Sequence, residues 1–135
     1  MRYLLDTNIC VNILRGRDDV LRNRLIGIPA GEVALCSMVL AELLVGAMKS
    51  ARREANVKAV EIFAGEFECL CFDAAAARVY AREREHLESC GRTIGPNDMV
   101  IAAIAMANGL VLVTHNVSEF GRVEGLKIED WELSS

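Results

Sequence analysis

The sequence predicts an α/β domain built on a parallel, helix-covered sheet. Three observations carry this: short apolar β-type runs recur along the chain, helix-type stretches separate them, and helix-stop signals fall at the joins. The β-type runs are residues 3–5, 33–36, 67–72 and 110–113, with a weaker one at 126–128. Each is followed by a segment long enough for the crossover that parallel strands need.

The elements between them have local signatures. Residues 9–14 read as a helix directly after the first strand. Residues 38–47 (Met-Val-Leu-Ala-Glu-Leu-Leu-Val-Gly-Ala) read as a helix apolar on every face and therefore buried. In the next segment Ala55, Ala59, Ile62 and Phe63 fall at i, i+4, i+7 and i+8, the spacing of a buried helical stripe. Asp73 suits the N-cap of the alanine-rich helix that runs to about Ser89. Residues 91–97 (Gly-Arg-Thr-Ile-Gly-Pro-Asn) form the clearest loop, Pro96 suits the first position of the helix 96–107, and Asn108-Gly109 stops it.

With 135 residues, 53% of them apolar and 25% charged, the chain is expected to fold as one domain, residues 1–135, and disorder or low complexity is excluded. Its longest apolar run, 99–107, is about half of the roughly 20 residues that span a bilayer. Asp6, Thr7 and Asn8 interrupt the N-terminal apolar residues too early for a signal peptide, so a cytoplasmic location is expected. Five cysteines without a Cys-x-x-Cys pair read as small reduced core residues rather than a disulfide set or a zinc site. Net charge is −4, which argues against nucleic acid, yet 12 of the 15 basic residues are arginines, the side chain that best matches phosphate. Arg15, Arg17, Arg22 and Arg24 crowd one segment and Lys49, Arg52 and Arg53 another, and a solvated helix face is the preferred reading of both.

Carboxylates stand where the pattern wants apolar or neutral residues. Asp6 follows the first strand and so lies at the carboxyl end of the sheet, the edge at which open parallel sheets bind ligands; it also suits an N-cap. Glu42 interrupts the apolar helix, and a buried carboxylate needs a partner, either a metal ion or an arginine in a salt bridge. Asp98 sits in the first turn of the helix 96–107. Thr114, His115 and Asn116 follow the strand 110–113, with Glu119 three residues on, and reach the same edge as Asp6 if the strands are parallel. Acids converging there repel one another unless a cation lies between them. Oxygen-only ligands suit Mg²⁺ or Mn²⁺, which can polarise a phosphodiester and activate water for in-line attack. A phosphate loop, a dinucleotide fingerprint and a nucleophile elbow are all missing. His86 reads as surface, and His115 has no assigned role.

The opening Leu-Leu-Asp-Thr-Asn-Ile at 4–9, the Glu42 helix, Ile-Gly-Pro-Asn-Asp at 94–98, and Leu-Val-Thr-His-Asn-Val-Ser-Glu-Phe at 112–120 together resemble a PIN-domain ribonuclease of the VapC toxin type, from Tyr3 to Trp131. That resemblance implies a three-layer α/β/α domain and a Mg²⁺- or Mn²⁺-dependent endoribonuclease that cuts RNA, tRNA among its substrate classes, and stops translation. It implies Asp6, Glu42 and Asp98 as the core acids, with Asp6 and Asp98 the direct metal ligands. Thr114 resembles the hydroxyl residue near the metal. Many members have a fourth acid where this chain has Asn116, and Glu119 is the candidate replacement. The resemblance also implies a small VapB-type antitoxin lying across the site, and a homodimer. A non-catalytic RNA-binding PIN domain is the alternative. A receiver-type module is disfavoured, since Thr7-Asn8 and Thr114-His115 lack its extra acid and its lysine.

Overall fold

The computed structural model describes residues 1–132. Five parallel strands form one sheet in the order β3-β2-β1-β4-β5, with β1 at Tyr3–Leu5, β2 at Val33–Cys36, β3 at Glu68–Leu70, β4 at Val111–Val113 and β5 at Ile128–Glu129. The register sets Tyr3 beside Val33 on one side and beside Val111 on the other. Helices flank the sheet in the three-layer arrangement: α1 (Thr7–Arg15), α2 (Asp19–Ile26), α3 (Ser37–Met48), α4 (Arg53–Ala64), α5 (Ala74–Ser89), α6 (Pro96–Ala107) and the short α7 (Val117–Phe120).

The chain winds from β1 outward through β2 to β3, then returns to place β4 on the other side of β1. The connections on the two sides of this break leave the sheet in opposite directions, which opens a crevice at the carboxyl ends of β1 and β4. All of β1 and β2 is buried, and so is half of α6. Ala102, Ala103 and Ala105 of α6 have no bulk beyond Cβ, so this helix can lie close among its neighbours, and α5 and α3 both pack on it.

Local signals hold at several joins. Asp73 Oδ1 accepts from the Ala76 N–H at 2.9 Å, capping α5. Pro96 begins α6, and Gly109 takes φ +66°, a left-handed conformation that ends the helix before β4.

Other expectations need correction. The buried stripe of α4 is Val60 and Phe63 with Val57 beside it, whereas Ala55 and Ala59 face solvent and Ile62 is 61% exposed. Of the expected stripe only Phe63 is buried, and Val60 lies one residue, about 100° around the helix, from Ala59. Helix α3 is not buried all round: Val39, Leu43 and Ala47 face the core, while Ala41, Val45, Gly46 and Met48 are exposed. Among the cysteines only Cys10 and Cys36 are core residues; Cys69, Cys71 and Cys90 are exposed, two of them because β3 is an edge strand and its end is open. All five are free thiols. The run 67–72 contributes only three strand residues for the same reason.

Trp131 closes the far side of the sheet. It is 2% exposed, meets the Tyr3 ring edge-on at 5.0 Å, and its Nε1–H donates to Glu129 Oε1 at 3.0 Å. Trp131→Ala removes this packing and should cost about 3–5 kcal/mol of stability, read as a lower urea midpoint at unchanged slope.

Candidate active site at the carboxyl edge of the sheet

The crevice collects four carboxylates from four parts of the chain. Asp6 ends β1 and is the N-cap of α1, with extended backbone at φ −72° and ψ 160°. It is 5% exposed, and both its oxygens are engaged: Oδ1 accepts from the Thr7 N–H at 2.7 Å and Oδ2 from the Thr114 hydroxyl at 2.8 Å. Thr114, fully buried at the end of β4, thus ties the two strands that flank the crevice.

Glu42 projects from α3 and is half-buried. Its partners are neutral: the Thr7 hydroxyl donates to Oε1 at 2.6 Å and the Asn97 amide to Oε2 at 3.4 Å. The expectation of a fully buried Glu42 is therefore corrected, because an exposed outer face on α3 leaves it at the margin of the core. Asp98 lies in the first turn of α6, with Gly95 as N-cap. Glu119 lies on α7 and is held by two donors, the Gly95 N–H to Oε1 at 2.9 Å and the Asn116 amide to Oε2 at 2.8 Å. The Asn116 N–H in turn donates to Thr114 Oγ1 at 3.0 Å. Asn116 thus serves as a bridge between Thr114 and Glu119.

Three positioning groups escaped the sequence reading: Thr7, Asn97 and the Gly95 N–H. Each lies in a segment already singled out, in Asp-Thr-Asn and Gly-Pro-Asn-Asp, but their partners are 24 to 55 residues away. Only the tertiary fold pairs them.

The electrostatics follow from crowding like charges. Burial raises the Asp6 carboxyl above its usual range, opposed by the hydrogen bonds from Thr114 and Thr7, with Glu42 and Glu119 adding to the rise. Asp98 is pushed from 3.8 up to about 7, first by burial, then by its hydrogen bond to Glu119 and the charges of Glu119, Asp6 and Glu42. Glu119 moves down, chiefly through the Gly95 N–H, then through its bonds with Asp98 and Asn116. Asp98 and Glu119 therefore titrate as one coupled pair, Asp98 raised and Glu119 lowered.

An all-oxygen set suits a hard divalent ion, and the charges that act most strongly on Asp6 and Asp98 are all negative. Asp6 and Asp98 are the residues that could hold such an ion, with Glu42 and Glu119 acting on them by charge. Among the described residues no three of these acids bring their oxygens within 4.8 Å of one another. His115 is turned away from them, toward Asp130 and Glu132.

A doubly wound sheet with four carboxylates at its switch point and no phosphate loop defines a class, a fold suited to metal-assisted phosphodiester chemistry. Residues 3–126 match the PIN domain family. The chain is 39% identical over 131 residues, 97% of its length and 98% of the relative's, to the tRNA(fMet)-specific endonuclease VapC of Shigella flexneri. It is similar to a chain of the DNA-bound VapBC crystal structure from Salmonella typhimurium, with a TM-score of 0.92 at 37% identity over 97% of this chain and 98% of that one. VapBC-5 of Mycobacterium tuberculosis, a member of the VapBC family of toxin-antitoxin systems, matches with a TM-score of 0.71 at 32% identity over 95% of each chain. The chain belongs to the PIN domain family, on its VapC branch.

The coupled pair gives a pH signature. A carboxyl whose folded value is raised stabilises the fold below its unfolded value and loses that contribution as pH rises through the folded value. For Asp98 the window runs from 3.8 to about 7. Metal-free protein should therefore lose stability as pH rises from about 4.5 to about 7.5, above the range in which the lowered Glu119 titrates. Asp98→Asn should flatten that fall, as thermal melts across pH in EDTA will show.

Proposed function

We propose that this chain is a Mg²⁺- or Mn²⁺-dependent endoribonuclease, the toxin of a type II toxin-antitoxin pair, which cuts RNA, tRNA in particular, and so inhibits translation. The observation that carries the reading is the convergence of Asp6, Glu42, Asp98 and Glu119 at the switch point, with their strongest mutual charges all negative. The relatives' printed names, a tRNA(fMet)-specific endonuclease and toxin-antitoxin complexes, support substrate and partner. The whole chain works as one domain, in the cytoplasm and as a homodimer.

Asp6 and Asp98 would hold the ion, which would supply polarisation of the phosphodiester and activation of water. Glu42 and Glu119 orient the water and substrate around it, and Thr114 keeps Asp6 from rotating. The position of Glu119 beside Asp98 supports it as the replacement for the acid that Asn116 does not provide, and so supports turnover over a binding-only role. Negative net charge is no obstacle, because the bound ion offsets the acids where RNA phosphate must approach.

The antitoxin has a surface to occupy. A groove of about 230 Å³ runs between α1, α3 and α4, lined by Val11, Leu14, Leu43 and Val60 among others, and its margin includes Glu42. An apolar helix laid in it would bring its flanking residues to the acids, where an arginine takes a carboxylate bidentately and fills the place of the ion.

The primary experiment incubates pure chain with labelled RNA. Cleavage should require Mg²⁺ or Mn²⁺ and stop in EDTA. Asp98→Asn, nearly isosteric, should keep the fold and lose activity by more than the roughly 100-fold that bounds residues merely supporting a ligand. Wild-type rates from Asp98→Asn would place the chemistry elsewhere.

Glu119→Gln should weaken cleavage more than Asn116→Ala does and raise the Mn²⁺ concentration needed for half-maximal rate. Asn116→Ala leaves Glu119 charged and held by Gly95, so a loss of about tenfold is expected with little change in metal requirement. Rates across a Mn²⁺ titration of both variants decide the order.

Antitoxin affinity measured by calorimetry at several Mn²⁺ concentrations should fall as Mn²⁺ rises. An affinity independent of metal removes the competition between arginine and ion and leaves the nuclease reading intact.

A further inference from the structure

One cluster of metal-ligating side chains lies outside the acidic crevice. His115, just after β4, faces Asp130 and Glu132, just after β5. Its Nδ1 lies 2.9 Å from Asp130 Oδ2 and 3.3 Å from Glu132 Oε2, and ligand atoms from all three residues lie within 4.8 Å of one another. We propose that these three side chains form a second cation site that takes a divalent transition ion, Zn²⁺ being the natural probe.

Geometry and donor chemistry both point there. With metal–ligand bonds of about 2.0–2.2 Å, neighbouring ligand atoms stand about 2.9 Å apart at a right angle and about 3.4 Å apart at the tetrahedral angle. The two separations from Nδ1 match that interval. The carboxylates are preset: Asp130 Oδ1 accepts from the Glu132 N–H at 3.0 Å and Glu132 Oε1 accepts from the Asn12 amide, so each acid has its other oxygen left to face His115. Supporting bonds of this kind orient metal ligands. The two acid side chains are only 9% and 13% exposed, whereas His115 is 62% exposed, which leaves the remaining coordination positions open to water.

A proton is a poorer solution than an ion. Nδ1 carries one hydrogen at most and cannot bond well to two carboxylate oxygens at once, while an ion satisfies all three donors together. An imidazole in the set selects Zn²⁺ or a similar ion over Mg²⁺, so the site differs in preference from the all-oxygen crevice. The ion would join β4, β5 and, through Asn12, α1. It would also fix the peptide between Thr114 and Asn116, the two residues that hold Asp6 and Glu119.

Residue-specific NMR of the imidazole nitrogens tests this in the full chain with Mg²⁺ in excess, since the sequence has only two histidines and His86 serves as internal reference. The expected result is that one equivalent of Zn²⁺ shifts His115 Nδ1 to a metal-bound position. The same shift should occur in Asp98→Asn, and at least about tenfold more Zn²⁺ should be required in Asp130→Asn. Glu132→Gln, with a more peripheral side chain, gives the same reading if Asp130→Asn does not fold. A His115 signal unmoved by millimolar Zn²⁺, or moved equally in the acid variants, overturns the proposal. Loss of the shift in Asp98→Asn overturns it too, by assigning the ion to the crevice.

Discussion

The hydrogen bond between the Thr114 hydroxyl and Asp6 Oδ2 is the contact on which the site is built. It crosses from the end of β4 to the end of β1, the two strands on either side of the switch point, and both residues are buried. A carboxylate in that position is costly unless its oxygens are satisfied, and the Thr7 N–H and Thr114 hydroxyl satisfy one each. Because Asp6 also caps α1 and Thr114 also receives the Asn116 N–H, a single buried anion fixes the direction in which two segments leave the sheet.

From there the hydrogen bonds that place Glu42 and Glu119 come from neutral donors, with the Arg122 charge adding a smaller pull on Glu119. Thr7 and Asn97 hold Glu42; Gly95 and Asn116 hold Glu119. This choice has an electrostatic consequence. Arginines or lysines among the acids would settle the charge and leave nothing for an ion to do, whereas hydroxyl and amide donors orient the oxygens and leave the negative potential in place. The coupled titration of Asp98 and Glu119 is the local response to that potential. A crevice of this kind is suited to an ion or to a cationic side chain, either of which would offset the same negative potential.

The apolar surface follows a similar division. Helix α3 buries Val39, Leu43 and Ala47 and turns Val45 and Met48 outward, so one helix both closes the core and presents area for a partner beside Glu42. A helix with this composition has little hydrophobic contrast between its faces, and burial against β-strands and α6 decides which side is in.

By itself the sequence determined the alternation of strands and helices, the parallel sheet, the capped start of α5, the proline start of α6 and the stop at Gly109, because these depend on local dihedral preference, capping and periodicity. The residues of the cluster were legible as acids breaking an apolar pattern, and their order along the chain carried the family. Which face of α3 and α4 is buried was not legible, since alanine and valine stripes compete within one helix and only neighbouring elements choose between them. Nor were Thr7, Asn97 and Gly95 as holders of distant carboxylates, or the meeting of His115 with Asp130 and Glu132. Those pairings join residues 15 to 55 positions apart. Strand order and register bring them together, and no local preference encodes either one.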